Sequence, residues 1–187
     1  MSASTSRMII GCLAEIGSWP VFGTLLVLAS LLFGYLVPKT KAPIFANAAT
    51  TLPRKVLDEY FPSWTPQIAE EFFATIGPKG RAAYRRFYLI MDFWFPGAIA
   101  SLTTASLLLI AFPPASGWVW LCVIAAPAWL FDVAENVTHF QMAGSYPNLS
   151  SSAVNFGPLW TRAKWVFAIV PLPIALVGLV YQYLHGR

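Results

Sequence analysis

The sequence predicts an all-α integral membrane protein, a four-helix bundle with an amphipathic surface helix in its first long loop. Three observations carry this expectation. Of 187 residues, 57% are hydrophobic and only 11% are charged, where a soluble domain carries about a quarter. Mean hydropathy is +0.62. The apolar residues fall into four runs of roughly 20 or more, the length needed to cross a bilayer core. Nothing outside those runs has the size or composition of a soluble second domain, so residues 1–187 read as a single transmembrane unit.

The first run, about 18–38, opens on Ser18 and Pro20, a cap residue followed by a first-turn proline. It continues into PKTK with no small-residue cleavage site, which predicts a retained span rather than a removed signal. In the long loop that follows, Thr65 can cap a helix, Pro66 suits its first turn, and Gly77-Pro78 ends it. Within about 66–76, Ile68, Phe72 and Ile76 share a face while Glu70 and Glu71 lie opposite. That pattern predicts a helix lying on the membrane surface or against the other spans. The remaining runs are about 87–112 with Pro96, 117–142 with Pro127, and 160–184 with Pro171 and Pro173. Proline is tolerated in such spans because neighbouring helices satisfy the freed carbonyls.

Basic residues set the orientation. Lys39, Lys41, Arg54, Lys55, Lys79, Arg81, Arg85, Arg86, Arg162 and Lys164 fall on one face, and only Arg7 and Arg187 on the other. The positive-inside rule then places the 39–86 loop inside and both termini outside, in a bacterial plasma membrane or a mitochondrial inner membrane. The net charge of +4 reflects this topology and contact with anionic lipid head groups rather than nucleic-acid binding. Cys12 and Cys122 lie in separate apolar stretches without a CxxC spacing and read as inert thiols.

The chemistry-bearing residues concentrate in WLFDVAENVTHF. Asp132, Glu135, Asn136 and His139 are spaced by three, four and seven, so they project from one side of a helix. Counting about 1.5 Å per residue from Gly117 puts Asp132 ~22 Å across the core, toward the inner face. Asp92 opens the second span at that face, Arg81, Arg85 and Arg86 precede it, and Arg162 and Lys164 open the fourth. Three uses of this layer compete. The first is a structural network of Arg81, Tyr84, Arg85, Asp92, Asp132, Glu135, Asn136, Arg162 and Lys164, because charges in lipid are costly unless paired. The second is acid–base catalysis on a lipid-like substrate, with Asp92, Asp132, Glu135 and His139 as candidates. The third is a metal site of Asp132, Glu135 and His139, which no second histidine-bearing span completes. The expectation is the network, with no catalytic residue assigned and no metal or cofactor. Trp118, Trp120, Trp160 and Trp165 suit an interfacial belt better than a ligand cage.

The segments IGPKGRAAY, DFWFP and FDVAEN resemble a widespread, poorly characterised group of small four-span membrane proteins. The likeness runs over about residues 57–170 through a GxxGRxxY turn, a DxxFP entry to span two and a DxxEN motif in span three. It implies the four-helix fold and points to Arg81, Tyr84, Asp92, Pro96, Asp132, Glu135 and Asn136, but implies no activity. Together these readings predict a structural or accessory membrane component that contacts lipids and other membrane-protein subunits. The alternative is a small membrane-embedded enzyme acting on a lipid-like substrate at the inner leaflet.

Overall fold

The computed structural model describes residues 3–46, 48, 55–92 and 96–186. Arg54 and Arg187 of the charge count, and residues 93–95 of DFWFP, lie outside the described residues. Among the described residues every regular element is helical, and four helical segments are long and apolar enough to cross a bilayer. The principal helices are α1 (Ala3–Ile16), α2 (Trp19–Leu31), α3 (Val37–Lys41), α4 (Pro66–Phe87), α5 (Pro96–Ala111), α6 (Ala126–Ser145), α7 (Ser151–Ile169) and α8 (Pro171–Leu184). Two π-turns, Leu32–Leu36 and Tyr88–Asp92, interrupt the first two segments.

Local chemistry explains most boundaries. The Thr65 hydroxyl accepts the Ile68 N–H at the start of α4, with Pro66 in the first turn. Gly77 takes φ 64°, ψ −177°, a left-handed φ that a glycine adopts without a Cβ clash. The helix breaks there as expected, and Pro78 then starts a second helical stretch, 78–87. Pro171 likewise opens α8 just after α7 ends.

The helix expected over 66–76 does not lie on its own at the surface. Ala69, Phe72, Phe73 and Ile76 are buried, and with Val56, Leu57, Trp64, Tyr84, Phe87, Tyr88, Met142, Ala143 and Ala153 they form the main core. This half of α4 thus caps one end of the bundle, called here the cap end. A smaller core of Leu108, Ala111, Ala125 and Ala175 holds the far end. There Gln182 Nε2 donates to the carbonyls of Ile110 (2.9 Å) and Ala111 (2.8 Å), satisfying acceptors that the end of α5 leaves open.

Two elements differ from expectation. The fourth segment starts at Ser151 rather than near residue 160. Residues 151–159 are too polar and small to register as a span, but Ala153, Gly157 and Thr161 recur every fourth residue and turn a buried small-residue face inward. A Cβ on Gly157 would stand 2.4 Å from the Trp64 ring, so the glycine lets that indole lie directly on α7. Residues 3–16 also form a helix that hydropathy does not reveal. It is tied to α5 by the Ser106 hydroxyl, which donates to the Ile16 carbonyl (2.6 Å), and by Gly17 lying against Leu109. By contrast, α2 buries none of its residues and exposes Leu26, Val27 and Leu31.

Candidate functional site

The α6 stripe turns inward as its spacing predicts. Asp132 and Asn136 are buried, and Glu135 and His139 have no exposed surface at all. What meets the stripe is Lys164 of α7. Its Nζ pairs closely with Glu135 Oε2 and lies 3.3 Å from Asp132 Oδ1 and 4.0 Å from Asp58 Oδ2. One turn earlier, Thr161 donates its hydroxyl hydrogen to Glu135 Oε1 and accepts the Trp64 indole N–H at 3.1 Å. Glu135 is therefore held by a cation on one oxygen and a hydroxyl on the other.

Asp58 enters from the cap, in the 3-10 turn Leu57–Glu59, and accepts the Tyr88 hydroxyl at 2.9 Å. Burial alone would push its carboxyl up. Lys164, Lys41 and the Tyr88 hydroxyl outweigh that and hold it below its usual value. Beside it, Lys41 pairs with Glu59 at 2.8 Å.

Helical spacing puts His139 about two turns nearer the inner face than Asp132, and there the cap encloses it. Its ring centroid lies 5.0 Å from Tyr88, 5.8 Å from Trp64 and 5.9 Å from Tyr84. Neither ring nitrogen has a hydrogen-bond partner, and Glu135 Oε1 stands 3.9 Å from Nε2. Asn136 is buried without a well-formed hydrogen bond.

The arginines do not seal the layer, which corrects the expected network. Arg81 donates to the Phe73 carbonyl at 2.8 Å and stacks 4.5 Å from the Tyr146 ring centroid. Arg85 lies 4.4 Å from the Phe140 ring centroid and against Gly144. Both sit beyond the carboxylates, toward the cap end of α6. Arg162 is exposed. Thr161 and Lys164, three residues apart, share the face of α7 that meets α6, whereas Arg162 is rotated about 100° from Thr161. Of the expected network, Lys164, Asp132 and Glu135 come into direct contact, and Tyr84 joins only as part of the aromatic wall.

A cleft of about 590 Å³ opens beside this cluster. Asp58, Asp92, Asp132 and Lys164 form its polar wall, and Phe33, Ala100, Ala128, Phe167 and Leu172 form its apolar side. Asp92 and Phe33 are each delivered by one of the two π-turns, a distortion that often marks functional positions. Asp92 and Asp132 are more than nine-tenths buried, and Oδ2 of each lacks a hydrogen-bond partner. The Ser101 hydroxyl and the Trp165 indole N–H, on residues that also line the cleft, are unpartnered as well. Trp165 thus faces the cleft rather than serving only as a belt residue. Glu135 and His139 stand behind the wall and do not line the cleft, so among the four catalytic candidates only Asp92 and Asp132 reach it. Among the described residues, no group of three His, Cys, Asp or Glu side chains is placed to hold a metal ion.

Sequence reasoning passes over Asp58, Trp64, Tyr88, Thr161 and Lys41. For Asp58 and Trp64 the local signal is the segment LDEYFPSW, where an Asp and a Trp stand in the long first loop, and Lys41 counts there only toward the charge of that loop. Comparison with protein families, curated proteins and solved structures gives no match.

Proposed function

We propose that the chain is an integral membrane protein that admits a lipid-like amphiphile to this cleft and acts on its head group by proton transfer. The observation that carries the reading is the cleft itself, apolar along one side and lined on the other by two buried carboxyl groups with unpartnered oxygens. Ligand sites combine an apolar body with a few convergent polar groups in this way. Asp92 and Asp132 are the proton-transfer groups, because they alone of the candidates can reach a ligand. Lys164 fixes Asp132 and Glu135, and His139 fills the aromatic wall. The exposed apolar side chains of α2 and of α8, among them Leu176 and Val177, suit contact with lipid tails.

In the test, the protein is extracted in a mild neutral detergent and the retained amphiphiles are identified. Wild type is expected to carry one species that Ala100→Phe, which fills the cleft, does not. A folded Ala100→Phe protein that retains the same species, or a wild type that retains none, would sink the reading.

Orientation belongs to the same proposal. Lys79, Arg81, Arg85 and Arg86 all stand on α4, so the cap faces the cytoplasm or matrix, and the far end, where α5 ends against Gln182 of α8, faces outward. In a cysteine-free background, Glu70→Cys and His185→Cys, both at exposed positions, are expected to label from opposite sides of the membrane. Labelling from one side overturns the orientation.

An accessory role in a larger assembly is the second reading. It is favoured by α2, which packs on α5 along one side but leaves Leu26, Val27 and Leu31 exposed on the other, a face for a neighbouring subunit. A partner co-purifying in fixed ratio, lost when Leu26 and Val27 are made polar, would support it.

A further inference from the structure

We propose that the amphiphile carries a cationic, amine-type head group, an inference that rests on the amphiphile reading above and specifies its chemistry. The argument is one of charge. In and behind the cleft wall stand Asp58, Glu59, Asp92, Asp132 and Glu135, facing only Lys41 and Lys164 among the described residues. Lys41 is engaged by Glu59, and Lys164 is shared by Glu135, Asp132 and Asp58. With His139 counted as neutral and the Lys41–Glu59 pair set aside, because Glu59 is 40% exposed, Asp58, Asp92, Asp132 and Glu135 share the one ammonium of Lys164 in a largely buried space. Buried charge is costly unless it is paired, so the wall favours an incoming positive charge or bound protons.

The ammonium groups offer an anionic head little, because each already faces carboxylate oxygens. A sulfate or carboxylate head would instead meet the carboxyl groups of Asp92 and Asp132 on the cleft wall. A carboxylate only accepts hydrogen bonds and an ammonium donates three hydrogens and accepts none, and Oδ2 of each aspartate, though tucked behind the wall, still lacks a donor. A bare metal ion is a poorer fit, since no three ligands converge among the described residues and the cleft is far larger than an ion. The apolar side gives the attached chain its place, along Ala100, Ala128, Phe167 and Leu172.

The test uses the full chain in a neutral maltoside detergent and three probes with the same eight-carbon tail: octylamine, 1-octanol and octanoate. Titration calorimetry at neutral pH is expected to give octylamine about tenfold tighter binding than octanol, the scale of one charge-assisted contact. Octanoate is expected not to bind measurably. Asp92→Asn, checked for unchanged helicity by circular dichroism, should weaken octylamine severalfold and leave octanol unchanged, and Asp92→Glu should retain the preference.

If octanol binds as tightly as octylamine, or octanoate binds best, the cationic head group is overturned while the amphiphile reading stands. In the first case, protons supply the missing positive charge. Equal weakening of amine and alcohol by Asp92→Asn also overturns it. If none of the three probes binds, the amphiphile reading falls with it.

Discussion

Replacing Lys164 with methionine is expected to destabilise the fold by about 3–5 kcal/mol, the scale for removing one partner from a buried ion pair. Among the described residues, the ammonium is the only Lys or Arg cation in contact with Glu135 and Asp132 and one of two near Asp58. Without it, three buried carboxyl groups face one another in a poorly solvated space. In a chain of this size, a loss of that order lowers the melting temperature by roughly 6–20 °C. Adding Glu135→Gln should recover part of the loss, because Thr161 can still donate to the amide oxygen. Arg162→Met, two positions away and exposed, should shift stability by no more than about 0.5 kcal/mol. Thermal unfolding in detergent checks all three. A Lys164→Met protein that melts with wild type would show that the carboxylates find their stabilisation elsewhere.

Trp64→Ala is expected to have the second large effect, again about 3–5 kcal/mol, the usual range for emptying a buried Trp site. The indole rests on Gly157, lies 5.8 Å from the His139 ring centroid and donates to Thr161. Removing it opens a void against α7, takes from the Thr161 hydroxyl the donor it accepts, and opens the wall around His139. Trp64→Phe keeps much of the volume and loses the donor, so its cost should be nearer 1 kcal/mol from the lost hydrogen bond, plus imperfect packing. A second readout is acylation of histidine by diethylpyrocarbonate. Wild type should react at the exposed His185 alone, and Trp64→Ala at His139 as well. Equal stability of the Ala and Phe variants would show that the ring does not hold the cap on the bundle.

The α6 stripe was legible because one helix supplies it, and helical spacing fixes its direction without any knowledge of neighbours. The break at Gly77 was legible for the same reason, since the left-handed turn and the proline after it are local chemistry. The identity of the partner was not. Lys164 and Arg162 are equally basic in sequence, and only the start of α7 at Ser151 decides which of them faces α6. That start is invisible to hydropathy, because the stretch 151–159 packs through small residues rather than apolar bulk. Asp58 and Trp64 escaped for a related reason. Their partners Lys164 and Thr161 lie about a hundred residues away, and nothing in LDEYFPSW shows that the loop folds back over the bundle. Helix α1 has no long apolar run to announce it.

Gly97 imposes an order on how this chain can change over generations. A Cβ there would stand 2.4 Å from Asp132 Oδ2 and 3.0 Å from its Cγ. Even alanine at position 97 would push the carboxylate out of its place beside Lys164. Shortening Asp132 first removes the obstacle, and residue 97 is then free to gain a side chain. The reverse order passes through an intermediate in which a displaced carboxylate has lost its cation. Descendants of this sequence can therefore reach a larger residue at 97 by one mutational path far more readily than by the other.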